Sequence, residues 1–358
     1  MKARTLTVLS AVVFLAGLAI PVPASAKKLI TFDAPGAGTQ EGQGTTPQAI
    51  NASGVIVGTF NNSHSLSHGF VRAADGTITT FDAPGAGKGK DQGTFAERIN
   101  QAGTVVGNYA DSKYAYHGFL RAADGTFTTF DAPGAGTGDI QGTFAWAIND
   151  AGTVTGYYND SNSVAHGFVR AVNGTYTVFD APGAGTAVGQ GTVAWAINNT
   201  GVVAGFYTDS HNVTHGLVLA TDGTLTTFDA PGAAGQGTVA RVINSSGVIA
   251  GEYEDSNWAY HGFERAVDGT FAEFEAPGSG TDTYQGTMAL AINDSGVIVG
   301  QYGDSNDVYH GFQRSAAGKL STGNVPRATG TFPRFNNASG AITGYYKDRG
   351  NAFHGFLY

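Results

Sequence analysis

The stretch Phe81-Asp-Ala-Pro-Gly-Ala-Gly-Lys-Gly-Lys-Asp-Gln-Gly-Thr-Phe-Ala-Glu-Arg-Ile-Asn100 recurs, closely copied, along almost the whole chain. Its leading aromatic returns at Phe32, Phe81, Phe130, Phe179, Phe228 and Phe274, in steps of 49, 49, 49, 49 and 46 residues. A second marker, His-Gly followed by Phe or Leu, falls at His68, His117, His166, His215, His261, His310 and His354. The chain is one unit written seven times.

The second unit shows what each copy encodes. Thr94 to Asn100 has extended character, and Asn100-Gln-Ala-Gly103 is a turn, with Asn bonding its own backbone and Gly taking positive φ. Thr104 to Tyr109 is β-branched and aromatic, hence a strand. Asp111 to Tyr116 reads as a polar loop, and His117 to Ala122 as a third strand. Ala123-Asp124-Gly125 is a tight hairpin turn. Thr126 to Asp131 alternates with period two and forms a fourth strand. Pro133 and the following glycines end it, since Pro cannot donate to a ladder. No segment after the first 26 residues keeps a helical period over ten residues.

Seven units of four short antiparallel strands predict an all-β fold, a seven-bladed β-propeller, because repeats of about 40–50 residues match known blade lengths. The ends of the chain agree. The last unit stops at its third strand, His354-Gly-Phe-Leu-Tyr358, while Leu29-Ile-Thr-Phe-Asp33 is a fourth strand with no three before it. The N-terminal strand is therefore expected to complete the last blade, leaving no open sheet edge.

Residues 1–26 read as an export signal: Lys2 and Arg4, an apolar run from Leu6 to Ile20, and Ala24-Ser-Ala26 as a cleavage site. Residues 27–358 then form one domain, exported to the periplasm or the medium, with no membrane insertion. Cysteine is absent, which excludes disulfides, thiolate metal sites and a lipid-anchored cysteine. Without Lys2 and Arg4 the balance is 17 basic against 28 acidic residues, a net charge of −11. That balance argues against nucleic acid and anionic membrane surfaces as partners. Glycine, 54 of 358 residues, is about twice the usual ~7% and fits many tight turns.

The run Ile148-Asn-Asp-Ala-Gly-Thr-Val-Thr-Gly156, with His166-Gly-Phe-Val-Arg170 downstream, resembles the bacterial exported HAF-repeat family. The likeness extends over residues 29–358, with His-Gly here where that family carries His-Ala. It implies export and a repeat scaffold, and it brings no established reaction or catalytic residues.

The recurrent histidines invite a metal or catalytic reading, but they occur once per unit at fixed phase, as structural residues do. Asp111, Asp160, Asp209, Asp255, Asp304 and Asp348 precede them, with Asn62 in the first unit. Hydrogen bonds Asp111–His117, Asp160–His166, Asp209–His215, Asp255–His261 and Asp304–His310 are the expected clamp of each blade. The Asp-Ser-Asn runs lack the ligand spacing of a calcium loop. Pro-Gly-Ala-Gly leads into a strand instead of a helix N-terminus, so it is no phosphate cradle. No metal and no cofactor is expected.

One column differs where its neighbours are nearly constant: Gln48, Glu97, Trp146, Trp195, Arg241, Leu290 and Arg334. First strands line the channel of a propeller, so Glu97, Trp146, Trp195, Arg241 and Arg334 are the candidate ligand-binding residues. Trp faces stack on sugar rings, and Arg pairs carboxylates. The alternative is that the same side chains pack between blades or fill the channel as structure. The longer second-to-third loops and inter-blade links share the other face and carry Tyr114, Tyr116, Trp258, Tyr260, Tyr284 and Tyr309. The function expected is a monomeric binding or structural module for an extracellular glycan or protein. The competing reading is a polysaccharide hydrolase or lyase at the channel mouth, with Glu97 as one of two acids. A purely structural surface protein is the third.

Overall fold

The computed structural model describes residues 28–358, so the signal read at 1–26 lies outside the described residues. These residues form 28 strands and no helix. Helix is disfavoured throughout by β-branched runs punctuated by Gly every few residues. The second unit comprises Gly93–Ile99, Val105–Ala110, Tyr116–Arg121 and Phe127–Phe130, each antiparallel to the next. These bounds sit within one residue of the sequence reading at most ends. The last three strands, Gly330–Asn336, Ile342–Lys347 and Phe353–Leu357, take Ile30–Phe32 as their fourth, with Phe32 opposite Gly355. No helix among the described residues is long and apolar enough to cross a membrane.

Units join through backbone as well as side chains. The start of one unit's third strand meets the glycine that opens the next unit's first strand, as at Ser67 and Gly93. Gly93 is required there: its φ is 110°, and a Cβ would lie 2.0 Å from the Ser67 carbonyl oxygen. The same bridge joins Phe353 to Gly44, the last unit to the first. A threonine behind that glycine secures the linker. Thr94 Oγ1 accepts from the Ala83 amide at 2.9 Å, and Thr45, Thr143, Thr192, Thr238, Thr287 and Thr331 do the same for their own linkers.

The turn asparagines bind one another in sequence. Asn51 Nδ2 donates to the Asn100 carbonyl, Asn100 to Asn149, and so on through Asn198, Asn244, Asn293 and Asn337. Asn337 Nδ2 then donates to the Asn51 carbonyl at 3.0 Å, although the two lie 286 residues apart. Each Oδ1 also accepts the amide four residues on, for example Asn100 from Thr104. One side chain thus closes its own turn and ties it to the next unit.

The core is distributed between units. Phe70, Phe119, Phe168, Leu217 and Phe263, each two residues after the marker histidine, are fully buried. Fully burying such a side chain contributes about 1.5–3 kcal/mol.

Candidate functional site

The expected Asp–His clamp is set differently in the structure. Asp111, Asp160, Asp209 and Asp255 direct Oδ1 to two amides of their own turn, as Asp111 does to Lys113 and Ala115. Their Oδ2 atoms stand 3.7, 3.8, 3.6 and 3.4 Å from Nε2 of His117, His166, His215 and His261, without a well-formed hydrogen bond. Asp304 and His310 alone make the expected bond, at 3.0 Å. The histidines instead bond through Nδ1 to the acid of the linker: His117 to Asp131, His166 to Asp180 and His215 to Asp229, at 2.8–2.9 Å. His261 bonds Glu275. The register explains this, because Gly118 pairs with Phe130 and so brings Asp131 beside His117. Each marker histidine also stacks on an aromatic of the second strand, as His117 does on Tyr109 at 4.9 Å.

The acid raises the pKa of His117, chiefly through the Asp131 hydrogen bond. Asp304 is held down at about 2 by its hydrogen bond with His310. Among the described residues no group of three or more His, Cys, Asp or Glu side chains is placed to hold a metal ion.

The variable column has a structural cause that sequence reading missed. In every unit the ladder between first and second strands slips by one residue, between Ala96 and Arg98, Ala145 and Ala147, Ala194 and Ala196, Ala240 and Val242, and their equivalents. The residue skipped is the variable one: Gln48, Glu97, Trp146, Trp195, Arg241, Leu290 or Arg334. A bulge frees its residue from pairing and re-aims its side chain.

Neighbouring units bring these side chains together. The rings of Trp146 and Trp195 stack at 4.5 Å and 16°, and the Arg241 guanidinium lies 5.0 Å over Trp195. Arg241 Nε donates to Glu252 Oε1 at 2.7 Å. Elsewhere in the column, Arg334 Nη2 donates to the Tyr345 hydroxyl at 2.7 Å; Arg98, the paired residue next to Glu97, covers the Phe335 ring. Glu97, 8% exposed, has its carboxyl pushed up to about 7 by burial, against the pull of Arg98 and Arg334.

A second variable column, also missed, supports the first. Tyr157, Phe206, Glu252 and Tyr345 follow the bulged residue by eleven positions, each just after a fixed glycine. Chemistry is matched across the pair: Trp195 meets Phe206 at 5.7 Å, Arg241 meets Glu252, and Arg334 meets Tyr345. Burial pushes the Tyr157 hydroxyl up to about 12. Trp146 Nε1, beside Tyr157, and Glu252 Oε2 are buried without a well-formed hydrogen bond. Native structures leave few such groups unpaired.

Two openings lead toward this column or its end. A cleft of about 90 Å³ reaches Arg241 and Glu252 between Thr214, Gly237, Glu254 and Tyr260. A depression of about 170 Å³ is lined from all seven units by the asparagine turns. Of the loop-face aromatics, Tyr114, Trp258 and Tyr284 are exposed, and Tyr116, Tyr260 and Tyr309 are half-buried. Tyr114 and Trp258 occupy left-handed backbone at φ 61° and 64°, where Ser65, Ser163, Asn212, Asp307 and Asn351 stand in the other units.

No family model matches the chain, and no curated protein does. Solved structures are similar in fold. TolB from Acinetobacter baumannii aligns with a TM-score of 0.52 and 11% identity, covering 75% of this chain and 62% of TolB. A puromycin hydrolase mutant complexed with PGG gives 0.53 and 12%, covering 85% of this chain and 50% of the hydrolase. A lectin of Aleuria aurantia in complex with Fucα1-6GlcNAc reaches 0.46 and 15%, over 78% of this chain and 95% of the lectin. The present chain thus spans less than two thirds of the first two chains, and identities this low speak to fold alone. The fold is all-β, built of repeated strand units, and β-propeller-like.

Proposed function

We propose that the chain is an exported seven-bladed β-propeller of the HAF-repeat type whose bulged column binds a hydroxyl-rich extracellular ligand, a neutral glycan. The pairing of Ile30–Phe32 with the last unit and the closed cycle of asparagine bonds support seven blades joined in a ring. The observation that carries the binding reading is the row Trp146–Trp195–Arg241, one residue from each of three successive units, stacked where near-identical copies diverge.

The chemistry of that row favours a neutral ligand over an acidic one. Arg241 is already engaged by Glu252, so it is not free to clamp a carboxylate. Glu252 Oε2 has no donor, and Glu254 borders the same cleft, its carboxyl raised by burial and by Glu252. Both accept hydroxyl hydrogens and repel anions. Glu97 itself has the charges of Arg98 and Arg334 acting on it, so it is not read as one of the paired carboxyls that glycosidic cleavage uses.

The chain has three tryptophans, so Trp258→Phe leaves Trp146 and Trp195 as the fluorescent reporters. Titration of this variant with neutral and uronate oligosaccharides should quench emission with neutral glycans only, and Trp195→Ala should abolish binding. Absence of any saturable response would overturn the reading, and release of new reducing ends would replace it with catalysis.

A further inference from the structure

Six times in the molecule, the phenylalanine of Phe-Asp-Ala-Pro (Phe-Glu-Ala-Pro in one copy) lays its ring on the glycine of a His-Gly pair. Phe81 covers Gly69, Phe130 covers Gly118, and Phe179, Phe228, Phe274 and Phe32 cover Gly167, Gly216, Gly262 and Gly355. A Cβ on any of these glycines would fall within 2.4–2.8 Å of the ring. The seventh copy keeps the strand and loses the ring. Gly323 pairs with Gly311 in the register that pairs Phe274 with Gly262.

The missing ring leaves a space. A cavity of about 480 Å³ opens at that seam, lined by Leu29, Phe312, Val325, Pro333, Phe356 and Tyr358 among others. The neighbouring seam shows it occupied: Gly355 is flanked by both the Phe32 ring and Pro47. At Gly311, Pro333 stands where Pro47 does, and no ring stands where Phe32 does. A Cβ built on Gly323 meets no atom within 4 Å. In five of the six copies an arginine caps the ring, as Arg314 caps Phe274 at 5.0 Å and Arg72 caps Phe32 at 4.9 Å, while Leu219 holds that position in the copy with Phe179. At the open seam the equivalent residue is Tyr358, 48% exposed. The linker acid is replaced too: Asn324 accepts from the Gly311 amide and donates to His310 Nδ1.

We propose that this cavity binds a monocyclic aromatic compound of the phenol class, its ring taking the place that phenylalanine holds in the other six copies. The ring lies against Gly311 and Pro333, between Phe312 and Phe356. Its hydroxyl faces the polar edge formed by Gln313 and Thr322. Cavities of this size are in the range that small ligands use, and apolar cavities shaped by a missing side chain accept aromatic guests.

Titration of the full chain with 4-methylphenol, followed by calorimetry and ligand-detected NMR, tests this. Saturable one-site binding is expected, retained in Gly323→Ala and weakened at least tenfold in Gly323→Phe, whose own ring fills the cavity. Gly323→Phe should also unfold at a higher temperature. Photolabelling of the unmodified chain with 4-azidophenol gives a readout that does not depend on that variant folding, and label should map to peptides containing Phe312 or Phe356. No saturable binding, equal affinity in Gly323→Phe, or label confined to other peptides would each overturn the proposal.

Discussion

At the scale of single residues, one bulged position, Glu97, and the marker histidines with their acids set the pH dependence. The Glu97 carboxyl is raised from 4.5 to about 7, so between these values the folded chain holds a proton that the unfolded chain has lost. Its contribution is complete below about pH 4.5 and disappears as pH rises to about 7. The pKa values of His117 and His354 are also raised, and their contribution likewise declines above the usual 6.5. Asp304, held at about 2, acts in the opposite sense and is lost only below about 3.8. Thermal stability should therefore be highest near pH 4–5 and fall toward pH 8. Glu97→Gln should flatten the part of that fall between pH 4.5 and 7, as a pH series of melting curves would show. Trp258 offers a separate test. Its left-handed backbone is costly for a bulky side chain and easier for Asn. Trp258→Asn, copying Asn212, should stabilise the chain by about 0.5–1 kcal/mol in urea unfolding.

At the scale of strands and linkers, the repeat is held by a few polar bonds made seven times. Thr94 caps the buried Ala83 amide, so Thr94→Val leaves that donor unpaired and should cost about 1–3 kcal/mol. Asp131→Ala removes the linker partner of a half-exposed histidine and should cost less, about 0.5–1.5 kcal/mol. The same Asp131→Ala change should bring the His117 pKa down, measurable by NMR titration, and Asp111→Ala should lower it by less. Here the sequence was legible only in part. That His and an acid meet in each unit could be read from their phase. Which acid, Asp111 or Asp131, depended on strand register, since both carboxylates lie within a few ångströms of the ring.

At the scale of the whole molecule, one short segment touches both the last unit and the first. Ile30–Phe32 adds the fourth strand of the last unit, and Phe32 fills the site over Gly355. Deleting residues 28–33 should expose the edge of Phe353–Leu357 and empty a second aromatic site. A melting temperature lower by more than 10 °C is expected, with self-association visible by gel filtration, because unpaired strand edges template pairing. Asn337→Ala, which interrupts the asparagine cycle at one link, should be milder by comparison.

The number of units, their four strands, their turns and the position of the variable column were all written in the sequence. Each depends on local chemistry repeated at a fixed spacing: Asn-x-x-Gly turns, alternating strands and Pro-terminated linkers. Three things were decided only by tertiary structure. The bulge that frees Glu97, Trp146, Trp195 and Arg241 is a mismatch between two strands, invisible in either alone. The engagement of Arg241 by Glu252 is a packing choice that turns a candidate anion clamp into a neutral pair. The cavity beside Gly323 arises because one missing ring matters only where neighbouring units enclose the space it leaves.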